Sequence, residues 1–303
     1  DFINAIAKAI ADFNMIDSED AVLVAVSGGP DSVSLVLSLL ALQKKHTIKI
    51  GIAHLNHRLR GEESIRDESF VKEFADKLNL PFFCEQKDVK AYAKKNRRSI
   101  EESGRMARYH FFKRIAKSHG YSKIATGHTK GDNAELVMMN LLRGSGPKGL
   151  SGIPPIRDKK YIRPLIQVSK NQILDFLKNE NQDFVFDSSN RDMKYLRNKV
   201  RNQLIPHLQS EYNPEFIDAL DRLSSILRQE EEFWEEKTEK AFHDCLVKTE
   251  PACIVLSKSL MKALHPALLN RVFRKAILKV KKNLKRISLV HINDMAEFCF
   301  NTS

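Results

Sequence analysis

A doubly wound parallel α/β sheet, followed by a smaller and mostly helical domain, is the fold class this sequence predicts. Three observations predict it. Short apolar runs alternate with amphipathic helical patterns through the first half of the chain. One of these runs leads through Ser27-Gly28-Gly29-Pro30-Asp31-Ser32 directly into an apolar helical pattern. Beyond about residue 210 the strands give way to long helical patterns rich in Glu.

The elements follow in order. Residues 1–19 read as a helix with Phe2, Ile6, Ala9, Ile10 and Phe13 on its apolar face. Residues 22–27 form the first strand, and residues 32–44 a nearly all-apolar, hence buried, helix. Residues 48–55 (IKIGIAHL) are the second strand. Residues 62–78 are an amphipathic helix with Phe70, Phe74 and Leu78 on one side. Residues 81–88 (PFFCEQKD) are the third strand, residues 100–119 a helix, residues 123–127 (KIATG) the fourth strand, and residues 132–143 the next helix. Further on, residues 170–181 and 196–209 read as helices, with a short strand at 183–186 between them. Helices recur at 214–246 and 259–299. The expected domains are 1–210 and 211–303. In open parallel sheets ligands bind outside the carboxyl ends of the strands. Residues 27–32, 54–60, 88 onward and 128–135 all fall there.

Length, charge and cysteines narrow the function. The 303 residues carry a formal net charge of +12, which favours a polyanionic partner, with nucleic acid ahead of a membrane surface. Cys84, Cys245, Cys253 and Cys299 form no C-x-x-C pair, so neither a zinc site nor a disulfide framework is indicated. Scattered free thiols suit a reducing, cytoplasmic setting. No apolar run reaches transmembrane length. The chain begins at Asp1 rather than Met and ends just after a helical pattern, which leaves room for further residues at either end.

The glycine turn carries the chemistry. A strand, a tight glycine turn and a helix N-terminus make an anion site, because the first helical N–H groups point outward and glycine lets the backbone approach a phosphate. The turn is neither G-x-x-x-x-G-K-[ST] nor G-x-G-x-x-G. Ser27 and Ser32 supply hydroxyl donors, and ionised Asp31 suits a Mg²⁺ ligand beside a triphosphate. The same residues also read as a plain turn with Asp31 or Ser32 capping the helix.

S-G-G-x-D-S resembles the signature of the PP-loop ATP pyrophosphatases (adenine nucleotide alpha hydrolase-like fold), which cleave ATP to AMP and pyrophosphate. Within that family, residues 54–60 (HLNHRLR), 101–109 (EESGRMARY), 127–135 (GHTKGDNAE), 141–155 (LLRGSGPKGLSGIPP), Arg163-Pro164-Leu165 and 187–201 (DSSNRDMKYLRNKVR) are similar, in order, to the tRNA(Ile)-lysidine synthetases. The resemblance covers about residues 20–208. It implies a ligase that joins L-lysine to the cytidine at the first position of the CAU anticodon of tRNA(Ile). The cytidine is first adenylated at the C2 oxygen, and the lysine amine then displaces AMP. It implies ATP and Mg²⁺ as cofactors, tRNA(Ile) and L-lysine as partners, and leaves a homodimer open.

The site expected from motif and resemblance together has Asp31, Asp132, Glu135 and Arg105 as catalytic residues. Ser27, Gly28, Gly29, Pro30, Asp31, Ser32, His54 and His128 bind ATP, and Asp31 and Asp132 hold Mg²⁺. Asp132 and Glu135 also read as a capping-box pair, with Asp132 at the cap and Glu135 three residues on. Arg105 also reads as half of an i,i+4 ion pair with Glu101, and the resemblance favours substrate or AMP contact over that pairing. His54 and His57 lie three apart, but no carboxylate or cysteine in their loop completes a metal site. Lys94, Lys95, Arg97, Arg98, Arg197 and Arg201 are expected to contact tRNA, as is a second basic run at Lys279, Lys281, Lys282, Lys285 and Arg286. One departure stands out: the family has two consecutive aspartates followed by Gln where this chain has Gly131, Asp132 and Asn133. A thiolating PP-loop enzyme and a non-catalytic RNA-binding relative are the competing readings. The lack of C-x-x-C opposes the first, and Gly131 favours the second.

Overall fold

The computed structural model describes residues 2–186, 193–250 and 252–301. Residues 187–192, the start of the DSSNRD motif, lie outside them. Two compact units are present, Asp1–Ser224 and Ser225–Ser303, and the division falls inside one long helix.

The first unit opens with α1 (Phe2–Asp12), whose Ile6, Ala9 and Ile10 are buried. Then follow β1 (Ala21–Ala25), α2 (Pro30–His46), β2 (Lys49–Asn56), α3 (Glu62–Lys77), β3 (Phe82–Gln86), α4 (Val89–Asn96), α5 (Ile100–Ser118), β4 (Lys123–Ala125) and α6 (Lys130–Leu142). After them come α7 (Pro147–Leu150), β5 (Ile156–Arg157), β6 (Tyr161–Ile162), α8 (Lys170–Asn179), α9 (Leu196–Lys199), a π-helical turn (Val200–Leu204), α10 (Ile205–Glu211) and the start of α11 (Phe216–Cys245).

The strands lie in the order β3-β2-β1-β4-β6-β5. All pairings are parallel except that of the edge strand β5 with β6. Period-2 side-chain alternation sends Val22 and Val24 into one apolar layer with α1, α2, α3 and α8, and Leu23 into another built mainly on α5. Seven of the eight residues of β2 are buried, as a central parallel strand covered on both faces requires. Chain order reverses between β1 and β4. The crevice at their carboxyl ends is therefore the switch point where such sheets bind ligands.

Several sequence expectations need correction. Residues 183–186 form no strand; Val185 instead donates its amide to the Gly28 carbonyl at 2.9 Å. The helix expected over 196–209 is broken by the π-helical turn, in which the Ile205 amide reaches back to the Val200 carbonyl. The cause is Pro206, which has no N–H and whose ring would clash with a carbonyl four residues back, so the widened turn relieves it. Neither α4 nor the β5–β6 pair was foreseen, because both are too short to show a period.

The second unit takes up the rest of α11 and adds β7 (Leu246–Glu250) and β8 (Cys253–Leu256), an antiparallel pair the sequence reading lacked. The helical stretch expected at 259–299 is three helices: α12 (Lys258–Lys262), α13 (Pro266–Lys281) and α14 (Leu289–Asn301). Phe242, Cys245, Met261, Val272, Phe273 and Ile292 form its buried core.

Candidate active site

The turn after β1 is built as an open anion cradle. Gly28 sits at φ +90°, a conformation L side chains rarely adopt. Gly29 is the N-cap of α2, and no side chain caps the helix, so neither Asp31 nor Ser32 fills the capping role. Ser32 Oγ instead accepts from the Ser27 amide at 3.2 Å and donates to the Gly29 carbonyl at 2.9 Å, and the Gly29 amide reaches Ser27 Oγ at 3.4 Å. The two serines thus hold the turn open. The amides of Gly28 and Asp31 have no protein partner among the described residues. Pro30, at the first helical position, has no N–H to satisfy. The loop is braced from behind. Gly127, just after β4, lies so near that a Cβ there would sit 3.0 Å from the Asp31 carbonyl oxygen. A side chain there would have to push this backbone back by a few tenths of an ångström, so the close approach favours glycine.

His54, near the end of β2, is buried and faces the same turn from the side. Its Nδ1 lies 2.9 Å from the Val26 carbonyl, which only accepts, so Nδ1 carries the proton. Nε2 is left as a buried acceptor with no partner among the described residues. Burial lowers the pKa of His54, and burial with the nearby Arg108 brings His57 down to about 4. His128 follows β4, with Nδ1 2.9 Å from Thr126 Oγ1. Burial, reinforced by Arg163, Arg197 and Arg105 against the pull of Asp132, brings it to about 4.

The first turn of α6 carries the carboxylates. Thr129 is the N-cap and Asp132 the N3 residue of a capping box, so the cap lies three residues before the position read from sequence. Glu135 is one turn further on and is buried. Two arginines straddle both acids. Arg197 donates from Nε to Glu135 (2.7 Å) and from Nη2 to Asp132 (2.7 Å). Arg201, on the π-helical turn, donates from Nε to Glu135 (2.5 Å) and from Nη2 to Asp132 (3.0 Å). Against the cost of burial, Arg197, His128, the Thr129 amide and Arg201 hold the Asp132 carboxyl below the usual range. Asp31 goes the other way: burial raises it, and the ion pair with Lys170 opposes this. Asp132 and Arg201 also act on Asp31, so loop and carboxylates share one electrostatic site.

Arg105 makes no ion pair with Glu101; its guanidinium lies 5.1 Å from the Tyr109 ring centre. Arg157 packs 4.4 Å from both Tyr109 and Tyr161, and the Arg163 charge also acts on the Tyr109 phenol. Despite burial, these three arginines lower the Tyr109 pKa. Sequence reasoning missed Lys170, Arg163 and Tyr109 as neighbours of the site; Arg163 and Tyr109 stood inside quoted motifs, while Lys170 carried no signal.

Asn133 and Gly131 explain the departure at 131–133. Asn133 is fully buried, donates to Ser224 Oγ (2.8 Å) and Asp221 (3.1 Å), and accepts from the Ile153 amide (2.8 Å). It ties α6 to its surroundings. A Cβ at Gly131 would meet only Thr129 Oγ1, at 3.7 Å, so a side chain fits there and this chain simply lacks one.

Lys94, Lys95, Arg97 and Arg98 are exposed at and beyond the end of α4. Arg97 closes the helix in the left-handed region, and Arg98 pairs with Glu102 at 3.4 Å. Of the second basic run, Lys279 packs 4.7 Å over the Phe242 ring and Lys281 donates to the Lys285 carbonyl.

A family model described as a PP-loop domain matches residues 2–208. The chain belongs to the PP-loop family. It is 34% identical over 97% of its length to a protein of Clostridium tetani named tRNA(Ile)-lysidine synthase. A Geobacter sulfurreducens protein of the same name is 37% identical over 96% of the chain. The chain spans 62% of the length of each of these relatives. Among solved structures, the U34-tRNA thiolase NcsA from Methanococcus maripaludis superposes with a TM-score of 0.61 at 18% identity, covering 75% of this chain and 79% of that one, which shows a shared fold. No helix among the described residues is long and apolar enough to cross a membrane.

Proposed function

We propose that this PP-loop protein joins L-lysine to the cytidine at the first anticodon position of tRNA(Ile) bearing CAU, through an adenylated cytidine, with release of pyrophosphate and then AMP. The observation that carries the reading is the convergence of the phosphate cradle, Asp31, Asp132 and Glu135 at one switch-point crevice. The chain that builds it is 34–37% identical to proteins of that name.

The residues divide the work. The Gly28 and Asp31 amides and the Ser27 hydroxyl hold the β,γ-phosphates at the positive end of α2, while Ser32, whose proton goes to the Gly29 carbonyl, keeps the turn in shape. Arg105 neutralises charge developing on the α-phosphate as the cytosine C2 oxygen attacks it and pyrophosphate leaves. His54 and His128, neutral at physiological pH, line the nucleotide without adding charge. Asp132 and Glu135 hold the lysine substrate; its attacking amine first passes its ammonium proton to a neighbouring base, then attacks C2 and expels AMP. Arg197 and Arg201 must then give up part of their present bonds and turn toward the RNA phosphates.

The donor set fits Mg²⁺. Among the described residues no three His, Cys, Asp or Glu side chains gather to hold an ion alone. Mg²⁺ characteristically takes one or two carboxylates together with substrate phosphates. Asp31 and Asp132 would hold it, and it would supply charge neutralisation to the triphosphate. On the same reading Lys94, Lys95, Arg97 and Arg98 contact the tRNA backbone.

Incorporation of radiolabelled lysine into total tRNA tests the proposal. Incorporation should require ATP, and Asp31→Ala should abolish AMP formation while tRNA still binds. ATP-dependent AMP release without lysine transfer would favour a different PP-loop reaction. Tight tRNA binding with no ATP turnover would favour a non-catalytic relative.

A further inference from the structure

The apolar face of α6 loses its cover before the helix ends. Val137 and Met138 are buried in one cluster with Val200, Ile205 and Leu220, and Met139 packs against it. Leu141 and Leu142 come next, side by side, and are 52% and 57% exposed. We propose that the turn at 141–148 is a wedge for single-stranded RNA: the two leucines pack on the base that the target cytidine leaves behind, and Arg143 and Lys148 take the flanking phosphates. The inference rests on the tRNA reading above and adds a contact surface to it.

The turn is rigid and well placed. The Arg143 and Ser145 amides both donate to the Asn140 carbonyl, at 3.1 and 2.9 Å, and the Gly144 amide donates to the Leu141 carbonyl at 2.9 Å. Asn140 Nδ2 donates to the Gly149 carbonyl at 2.7 Å and so closes the turn. Leucines on a turn held in this way meet a partner at little further ordering cost. Leu142 stands seven residues after Glu135, about 20° short of two full helical turns. It therefore shares the side of α6 on which Glu135 meets Arg197 and Arg201. The rise between them is about 10 Å, the height of about three stacked bases.

Charge selects the partner. From Leu136 to Arg157 the chain holds no Asp or Glu, but it holds Arg143, Lys148 and Arg157. Arg143 and Lys148 are exposed beside the leucines. Such a surface attracts phosphate, and apolar side chains are what proteins insert into an opened base stack. The reaction opens that stack. A cytosine must swing out of it to be modified at C2, and its neighbour then loses one stacking face. Leucine packed on that face replaces the lost contact and keeps the stack from closing again.

The test titrates the full chain, without nucleotide, into a synthetic anticodon hairpin bearing CAU. Its anticodon adenine is replaced by 2-aminopurine, whose fluorescence rises on unstacking. The wild type should bind and raise the fluorescence. Leu141→Ser with Leu142→Ser should weaken binding about tenfold, abolish the rise at saturation, and leave the salt dependence of binding unchanged. Arg143→Gln should keep the rise and lower the salt slope by about one. Leu142→Phe, which offers a wider apolar face, should bind more tightly than the wild type, and it reads the contact even if the double variant fails to fold. Binding of a fully base-paired RNA should be the same in the serine variant as in the wild type. A serine variant that keeps affinity and rise, or loses duplex binding equally, overturns the wedge and leaves the tRNA reading in place. So does a serine variant that binds the hairpin normally but no longer self-associates, which makes the leucines a protein interface. A wild type that binds neither the hairpin nor tRNA sinks the tRNA reading, and the wedge with it.

Discussion

Replacing Glu135 by Ala tests the charge network that organises the site. The carboxylate is 4% exposed and accepts from Arg197 Nε and from Arg201 Nε and Nη2. Each hydrogen bond to a charged group is worth about 1.5–3 kcal/mol, so the full set would come to more than about 5 kcal/mol. Two features reduce that figure. Both arginines keep Asp132, at 2.7 and 3.0 Å, and their side chains are 41% and 36% exposed, so freed N–H groups find water. The expected cost is about 2–3 kcal/mol, between an exposed and a buried pair. For a unit the size of Asp1–Ser224 that is a fall of about 5–10 °C in melting temperature. Calorimetry reads it, and the Arg197→Met, Glu135→Ala double-mutant cycle isolates the pair. A shift under about 1 °C, or strict additivity in the cycle, would refute the network as a source of stability.

Three further outcomes follow from the structure. His57 and His128 titrate near 4 in the folded chain against 6.5 unfolded, so the unfolded state takes up protons first as pH falls. Their contribution is whole above about pH 6.5 and is lost on the way down to about pH 4, with a ceiling near 3 kcal/mol for each. Urea unfolding across that range should show the decline, and His57→Gln should make it shallower; an identical slope in the variant contradicts the assignment. Gly28→Ala should destabilise by about 1–2 kcal/mol through its positive φ alone, since the added Cβ makes only ordinary contacts at 3.4–3.5 Å, and should weaken ATP binding. Normal stability in that variant would mean the turn adopts another conformation. Changing Lys94, Lys95, Arg97 and Arg98 together to Ser should weaken tRNA binding and flatten its dependence on salt; an unchanged salt slope removes this patch from the interface.

Much of the first unit was legible because its signals are local. Apolar runs such as 22–27 and 48–55 announce buried parallel strands, and Ser27 to Ser32 announce an anion turn. What escaped were elements whose cause lies elsewhere in the chain. The short β5–β6 pair exists because β4 has a free edge to extend. The π-helical turn exists because Pro206 interrupts a helix whose neighbours hold it in register. The local sequence leaves the cap of α6 ambiguous, because Asp132 satisfies a capping box equally well as cap or as N3. Only the backbone shows that Thr129 is the cap and that Asp132 closes the box from N3.

Sequence alone determined that the chain is a PP-loop protein and where its glycine turn lies, because glycine conformations and helix starts are written within a few residues. Tertiary structure decided which charges meet. It set Lys170 on Asp31, Arg197 and Arg201 across Asp132 and Glu135, and three arginines around Tyr109. Apart from Arg105 and Tyr109, which stand four apart on α5, those pairings span tens to more than a hundred residues. They depend on how helices on a twisted sheet converge, which no local pattern records.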